Sequence, residues 1–133
     1  MIKKAFETSE FLIKSVEAIE FAELYDPIPI HIEVEPDTPF IKKQCVSGIL
    51  IQCFINKFLI NHPDYKGLIC ATNINIDFIK PAYFDTKMFI KVSYQQDFNN
   101  RKNAYRRISN CELISSIDEK IITKYEVTHL IKI

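Results

Sequence analysis

The sequence predicts a single α+β domain in which an antiparallel β-sheet curls around one long central helix. Two observations lead to this prediction. An almost wholly apolar segment at 46–61 is typical of a helix enclosed by other structure. After residue 67, four segments alternate apolar and polar residues, which is typical of half-buried strands. A sheet with one apolar face needs a cover, and 46–61 is the only segment apolar enough to provide it.

Length and composition limit the number of domains and the kinds of partner. The chain has 133 residues, 47% of them hydrophobic, which suits one domain over 1–133 and is too short for two. Lys plus Arg and Asp plus Glu number 17 each, so no net charge attracts nucleic acid or an anionic membrane. The basic segment 99–107 is therefore expected to be a solvated hairpin loop and not an RNA-binding site.

Cysteine spacing and the absence of targeting signals predict a cytoplasmic protein. The longest apolar stretch, 49–60, is shorter than the roughly 20 residues that span a bilayer. The N-terminal lysines precede no apolar run of about 7 to 15 residues. The cysteines form no C-x-x-C pair, so we expect reduced thiols that act as small core residues and neither disulfides nor a zinc site. They are Cys45, Cys53, Cys70 and Cys111.

The first third of the chain is expected to be a strand followed by a helix. Residues 3–13 mix apolar and polar side chains and are predicted to be extended. A helix is predicted over 15–26, with Ser15 as its cap. Its apolar positions repeat near helical spacing and include Val16, Ile19 and Leu24.

Prolines punctuate the chain between the two predicted helices. Pro27 and Pro29 fix their own φ and favour extended geometry in the residues before them, so a stiff turn follows the first helix. Segment 34–44 contains two more prolines and is predicted to be a loop. The central helix at 46–61 is expected to end before Pro63.

The last half of the chain is predicted to be an antiparallel meander of four strands, joined by the N-terminal strand. The first of the four should bury the face that carries Ile74, Ile76 and Phe78. His129 lies in phase with apolar residues of the last strand and is expected to be a hydrogen-bonded sheet histidine rather than a ligand. The predicted strands are 72–80, 88–95, 104–114 and 120–133, with a turn at 116–119.

Asp26 and His31 are the first candidate site residues. They are five positions apart across two prolines, a spacing that allows a carboxylate to lie beside an imidazole nitrogen. Such a pair can hold and polarise water, because histidine titrates near neutral pH. The alternative is structural: Asp26 caps the turn at Pro27, and His31 packs in a loop.

Ser47 and Gly48 form the second candidate site, at the start of the central helix. Free backbone N–H groups and the positive end of the helix dipole meet there, and a glycine allows a ligand oxygen to come close to the chain. Such a site can polarise a thioester carbonyl as its oxygen gains charge. The alternative is a tight helix entry at Gly48 with Ser47 as an ordinary N-cap.

Taken together, these segments resemble the MaoC-type acyl dehydratases, also called (R)-specific enoyl-CoA hydratases, of the hot-dog fold. The matching segments begin with FAELYDPIPIHIE, continue with VSGIL and end with IDFIKPAYFDT. The resemblance spans roughly residues 15–133. The matched positions are Asp26, Pro29 and His31, then Ser47 and Gly48, then Pro81, Asp85 and Thr86.

The resemblance implies a sheet wrapped around a helix, usually dimeric, with the active site in a tunnel at the subunit interface. It implies chemistry without a metal or redox cofactor. Asp26 and His31 would activate a water that adds to C3 of a trans-2-enoyl thioester and would supply the proton to C2. Gly48, with Ser47 beside it, would bind the thioester oxygen. A homodimer or higher homo-oligomer acting on acyl-CoA or acyl-carrier-protein thioesters is expected.

The chain departs from the family pattern at several positions. Ile28 stands where an asparagine is often found, and Phe84 replaces the usual glycine before Asp85. Lys42 and Lys43 replace glycines of a loop that is usually glycine-rich. These two lysines are candidate contacts for the phosphates of coenzyme A or for an acidic carrier protein; the alternative is a solvated loop.

Three alternatives to the hydratase interpretation stay open at this stage. Thioester hydrolysis on the same fold commonly uses an acid from the central helix, and 46–61 contains neither Asp nor Glu. A non-catalytic acyl-binding hot-dog subunit would have no need of Asp26 or His31. A different wrapped-helix fold that binds a small ligand predicts no contact between those two residues.

Overall fold

The computed structural model of this chain describes residues 2–99, 101 and 103–133. Lys102, part of the basic segment at 99–107, lies outside the described residues. One strand and three helices occupy the first half of the chain, and the last half consists of long strands. The elements are β1 (Ile2–Glu7), α1 (Ser15–Tyr25), α2 (Pro29–Ile32), α3 (Gly48–Asn61), a 3₁₀ turn (Pro63–Tyr65), β2 (Leu68–Phe78), β3 (Met88–Asn99), β4 (Ala104–Ser115) and β5 (Ile121–Lys132).

The strands form one antiparallel sheet in the order β1-β3-β4-β5-β2. The predicted α+β class, with a sheet packed around a long helix, is confirmed. The predicted four-strand meander is wrong for β2, which pairs with β5 and not with β3. The long connection 79–87 carries the chain past the start of α3, where the Val46 N–H donates to the Ala82 carbonyl (2.8 Å). The chain then enters β3, which lies toward the other edge of the sheet from β2. The strands β3, β4 and β5 are consecutive neighbours in the sheet.

The core lies between α3 and the concave face of the sheet. The apolar face predicted for β3 is confirmed, because Met88, Ile90, Val92 and Tyr94 are all buried. The helix contributes four residues that are at most 5% exposed: Leu50, Ile51, Ile55 and Leu59. None of the described helices is long and apolar enough to cross a membrane.

Opposite charges run in one row across the outer face of the sheet. Each pair in this row faces its neighbour in register on the adjacent strand, and the signs alternate from β1 to β2. Cross-strand pairs of opposite charge favour the correct register over a slipped one. The row consists of Glu7, Lys91, Glu112, Lys124 and Asp77.

Strand β2 is more exposed than the alternating pattern predicts. It was expected to be half-buried, but Ile74 is 40% exposed and Phe78 52%. The reason is its position at the edge of the sheet, where β5 is its only neighbour among the described strands. The adjacent side of α3 is also open, with Ile49 and Ile60 about half exposed, so the helix is not enclosed on all sides within this chain.

Two expectations for the helices need correction. Helix α1 covers the predicted span, but Ser15 is its first residue and Lys14 is the N-cap, without a side-chain cap bond. Its buried residues are Ala18 and Ala22 rather than the larger Val16 and Leu24, because small side chains let the helix approach the core closely. Helix α3 begins two residues later than predicted, because Ser47 caps it.

The cysteines divide into two classes. Cys45 and Cys111 are buried, as predicted, and burial raises the pKa of these thiols to about 11 and about 12. Cys53 and Cys70 are exposed, so their assignment to the core was wrong. They lie on the open side of α3 and on the edge strand β2, and those surfaces are uncovered in a single chain.

A buried polar cluster occupies the end of the sheet near β4 and β5. Arg107, from the segment expected to be a solvated loop, is only 6% exposed and donates through Nε to the Gln96 side chain (2.9 Å). Its guanidinium lies over the rings of Tyr65 and Tyr94, 4.8 and 4.1 Å from their centroids. His129 is buried beside this cluster, but its Nδ1 has no hydrogen-bond partner among the described residues, contrary to prediction.

Candidate active site

Asp26 and His31 lie side by side at the end of α1. Asp26 is the C-cap residue of that helix, and His31 belongs to the single turn α2 that Pro29 begins. The Oδ2 atom of Asp26 is 3.4 Å from Nε2 of His31. The imidazole is 7% exposed and the carboxylate 22%, so the pair opens to its surroundings mainly on the Asp26 side.

The other ring nitrogen of His31 determines which tautomer is present. Nδ1 is 2.9 Å from the backbone carbonyl oxygen of Cys45. Because a carbonyl oxygen can only accept, Nδ1 must carry the proton and donate it. In the neutral ring the unshared electron pair is then on Nε2, the nitrogen that faces Asp26.

Two distant loop segments are joined at this point. The Cys45 N–H donates to the Ile30 carbonyl (2.9 Å), and the Gln44 side chain donates to the His31 carbonyl (2.9 Å). Together with the His31–Cys45 bond, these hydrogen bonds fix the ring against the strand-like segment that leads into α3. The sequence pattern did not indicate Gln44 or Cys45 as site residues, because their contribution is through ordinary polar and backbone groups.

Ser47 lies between the two predicted halves of the site. Its side chain is fully buried. The hydroxyl donates to Asp26 Oδ2 (2.7 Å) and accepts from the backbone N–H of Ile49 (3.2 Å). It therefore caps α3 and orients the Asp26 carboxylate at the same time. Oδ1 of Asp26 has no protein partner among the described residues and is free to bind a small molecule.

Gly48 is the first residue of α3. Its N–H has no intrahelical acceptor, and it donates to no other group in the part of the chain that the structure describes. The positive end of the helix dipole adds to the attraction for a negatively charged oxygen. The ring of Phe78 packs against this glycine so closely that an added Cβ would be 2.6 Å from its nearest carbon.

A cavity of about 540 Å³ joins these groups. Within the described residues, its lining contains one carboxylate, from Asp26, and one ammonium group, from Lys80, which the sequence did not single out. Most of the lining is apolar, as in pockets that bind hydrocarbon groups. The remaining lining residues are Ile30, His31, Phe40, Ile41, Cys45, Val46, Gly48, Ile49, Ile51, Phe78, Ile79, Pro81 and Ala82.

Of the other matched or proposed positions, Pro81 lines the cavity, whereas Lys42, Lys43, Asp85 and Thr86 lie away from its lining. Lys42 and Lys43 are both exposed, and the Lys43 ammonium lies 4.7 Å from the centroid of the Tyr83 ring. Asp85 adopts a left-handed conformation (φ 55°), and the Thr86 hydroxyl donates to the Phe84 carbonyl (3.1 Å). Asp85 and Thr86 therefore belong to the turn that leads into β3.

The side chains around this cavity can be compared with the ligand sets that metal ions require. Among the described residues, no group of three or more His, Cys, Asp or Glu side chains could hold a metal ion. The buried Cys45 thiol is 3.7 Å from Nδ1 of His31, but burial raises its pKa to about 11, so it stays protonated near neutral pH. Besides the Lys80 ammonium, the acid–base groups in the described lining of the cavity are thus His31 and Asp26.

Comparison with solved structures identifies the fold. A MaoC-like dehydratase from Rhodospirillum rubrum superposes with a TM-score of 0.86 at 12% identity, covering 99% of this chain and 92% of that one. An (R)-hydratase from A. caviae involved in PHA biosynthesis gives 0.75 at 16% identity, covering 97% and 95%. A 3R-hydroxyacyl-ACP dehydratase complex from Mycobacterium tuberculosis gives 0.71 at 12% identity, covering 96% and 95%.

No protein-family model and no curated protein matches the chain. At these identities the structural likeness shows a common fold. The predicted resemblance to the MaoC-like dehydratases is confirmed at that level, and the predicted hot-dog fold is confirmed with it.

Proposed function

We propose that this chain, which has the hot-dog fold of the MaoC-like dehydratases, catalyses the (R)-specific hydration of trans-2-enoyl thioesters or the reverse dehydration of 3-hydroxyacyl thioesters. The observation that carries the proposal is the Asp26–His31 pair, 3.4 Å apart, at a cavity that also contains the free N–H of Gly48. An acid–base pair beside an oxyanion site is what addition of water to a conjugated thioester requires.

The reaction divides between the two sides of the cavity. A water held between Asp26 Oδ1 and His31 Nε2 gives one proton to the pair as its oxygen forms a bond to C3. The electrons of the C2–C3 double bond move toward the thioester carbonyl, whose oxygen accepts a hydrogen bond from the Gly48 N–H. The pair then returns one proton to C2, so the sum is the addition of H and OH, and the pair regains its initial protonation.

The acyl chain of the substrate would lie along the apolar lining. Its coenzyme A or carrier-protein portion would lie outside the cavity. Lys80 at the cavity, with Lys42 and Lys43 in the preceding loop, supplies positive charge for the phosphates of coenzyme A or for the acidic surface of a carrier protein. The mechanism uses no metal or redox cofactor. We therefore expect an acyl thioester to be the only small molecule that the reaction needs besides water.

Thioester hydrolysis is less well supported on this fold. The helix α3 contains neither Asp nor Glu, so attack of water at the carbonyl would depend on the same Asp26 that lies beside His31. A non-catalytic acyl-binding subunit remains the third candidate. Both alternatives predict outcomes of the following experiment that differ from those of the hydratase.

The test follows the loss of enoyl-thioester absorbance with purified protein and trans-2-enoyl-CoA of short and medium chain length. Asp26→Asn and His31→Ala should each lower kcat by about 10²- to 10⁴-fold, the usual contribution of a general acid or base. Asp37→Asn is the matched control, since Asp37 is exposed and does not line the cavity. Chiral chromatography of the 3-hydroxyacyl product checks the (R) configuration.

A thiol-specific dye in a parallel assay separates the alternatives. Hydrolysis releases a free thiol from the acyl-CoA, whereas hydration leaves the thioester intact. Release of thiol without loss of the conjugated double bond would replace the hydratase by a hydrolase. Binding of acyl-CoA without either reaction, also with carrier-protein thioesters, would leave the non-catalytic subunit.

We also propose that a second copy of this chain completes the cavity. Among the described strands, β2 pairs only with β5, and exposed strand edges with apolar side chains are surfaces that proteins normally cover. Apolar residues at this edge are between 40 and 57% exposed, and some of them line the cavity. They are Ile69, Ile74, Phe78 and Ile79.

The homodimer is tested by light scattering after size-exclusion chromatography. Ile74→Lys places a charge in the middle of the edge strand and should yield a monomer. Ile117→Lys is the matched control, because Ile117 is equally apolar, 80% exposed and located in the turn between β4 and β5. A monomeric wild type, or dissociation by both variants alike, would contradict the β2 interface.

A further inference from the structure

The contact between Phe78 and Gly48 constrains what can bind beside the helix start. Three carbons at the outer end of the Phe78 ring lie 2.6, 2.7 and 2.9 Å from the position that a Gly48 Cβ would take. These distances are shorter than side-chain contacts allow, so the ring occupies the space directly above the glycine. Both residues line the cavity that contains Asp26 and His31.

The position of the ring is fixed from the strand side. Phe78 is the last residue of β2 and faces Thr123 of β5 in register, and the next two backbone N–H groups donate to the Ile122 carbonyl (2.9 and 3.0 Å). The strand end is therefore held by hydrogen bonds, although the ring itself is 52% exposed. The hydrogen bonds of the strand end therefore hold Phe78 where its ring contacts Gly48.

A thioester oxygen that binds the Gly48 N–H holds its neighbouring atoms beside this ring, because the ring fills the space next to Gly48 and both residues line the same cavity. The C2 carbon is bonded directly to the carbonyl carbon, so it lies one bond beyond the group held at Gly48. An unbranched chain carries only hydrogen beside its chain at C2, whereas a branched chain carries a methyl group there and needs more space. A substituent on C2 must enter either the ring of Phe78 or the space of the acid–base pair.

We propose that Phe78 is a specificity-determining residue that excludes acyl thioesters branched at C2 and selects unbranched ones. This inference rests on the proposed binding of the thioester at Gly48. The extra methyl group is rejected by the ring, whereas the CoA or carrier portion of the two substrates is identical. A hydrophobic site that lacks room for one methyl group discriminates by roughly 10- to 200-fold.

The test compares two isomers that do not react. Isothermal titration calorimetry measures the dissociation constants of butyryl-CoA and isobutyryl-CoA, isomers in which the fourth acyl carbon either extends the chain or forms a branch at C2. Wild-type protein should bind butyryl-CoA at least about tenfold more tightly. Phe78→Ala should reduce that ratio to within about threefold, and Phe78→Leu should give an intermediate value.

Phe98→Ala is the matched control. Phe98 is 53% exposed, almost the same as Phe78, but lies on β3 against the ring of Tyr105 and does not line the cavity. It should leave the ratio of dissociation constants at the wild-type value. Circular dichroism and light scattering of each variant check that the fold and the oligomeric state are those of the wild type, because Phe78 also belongs to the exposed β2 edge.

Several outcomes would overturn the inference. They are an unchanged ratio in Phe78→Ala, an equal change in Phe98→Ala, and failure of the wild type to bind butyryl-CoA. Because these ligands lack a double bond, the result does not depend on catalysis. If discrimination follows Phe78 but no enoyl-CoA or enoyl-carrier-protein substrate is hydrated, the proposed reaction fails and the specificity role stands.

Discussion

The His31 Nδ1–H donates to the carbonyl oxygen of Cys45 across 2.9 Å, and this bond leaves Nε2 as the basic nitrogen beside Asp26. The orientation of the imidazole thus depends on a backbone group fourteen positions away in the chain. The Cys45 thiol lies 3.7 Å from the same Nδ1, so both the backbone and the side chain of residue 45 contact the ring. The arrangement fixes the direction in which the pair can exchange a proton, and that direction is toward the cavity.

Ser47 should affect catalysis and stability separately. Both Ser47→Ala and Ser47→Gly remove the hydrogen bond to Asp26, so each should lower kcat by about tenfold or more with little change in KM. Loss of the helix cap should cost about 1 kcal/mol for alanine but only a few tenths for glycine. Steady-state kinetics and urea denaturation measure the two effects. A loss of kcat that tracks the loss of stability would contradict the positioning role.

The crowding at Gly48 should appear as coupling between two substitutions. Gly48→Ala should destabilise the wild type by about 1 kcal/mol, since its Cβ meets the Phe78 ring and forces it to turn away. In the Phe78→Ala background the same change should cost less than about 0.5 kcal/mol, because the space is then empty. Urea denaturation of the four proteins completes the cycle. Additive effects of the two substitutions would mean that the ring does not press on the helix.

His129 should make the protein less stable in mild acid. Burial lowers its pKa, and Arg107, its register partner on β4, lowers the pKa further. The other group packed on it is the Tyr65 ring, 5.9 Å away between centroids, which offers no negative charge. The unfolded chain takes up a proton near pH 6.5. His129 in the folded protein takes up its proton only at lower pH, because its pKa is lowered, so the free energy of unfolding falls as pH drops below that value.

This pH effect has a maximum slope of about 1.4 kcal/mol per pH unit. Urea denaturation between about pH 7 and about pH 5 should show a smaller slope for His129→Leu than for the wild type. Equal slopes would show that His129 has the same pKa in the folded and the unfolded protein.

The thiols should react in two classes. In the Ile74→Lys protein, in which the β2 edge is expected to be free, iodoacetamide should modify Cys53 and Cys70. Cys45 and Cys111 should stay unmodified until the protein unfolds, because they are buried and burial raises their pKa. Mass spectrometry of peptides identifies the modified positions. Modification of Cys45 in the native protein would contradict the closed contact with His31.

The site could be predicted in part because its residues are chemically unusual in the sequence. Asp26 and His31 are separated by two prolines, and Gly48 is one of only two glycines. Ser47 was found with Gly48, but its bond to Asp26 was not, since a bond between residues 21 positions apart has no local signal. Phe78 and Lys80 were overlooked at the cavity because a phenylalanine and a lysine at a strand end are ordinary residues.

The sequence by itself determined the order and type of the main helices and strands. Its 3.6-residue and two-residue periodicities, together with Pro27 and Pro63, indicated α1, α3 and the strands, because these are consequences of local backbone geometry. The single turn α2 and the start of β2 at Leu68 were not predicted. The tertiary structure alone decided that β2 pairs with β5, that His129 is buried beside Arg107 and that α1 buries its alanines. Those outcomes depend on which surfaces meet across the fold. The sequence pattern around a residue does not say which distant residue that side chain will contact.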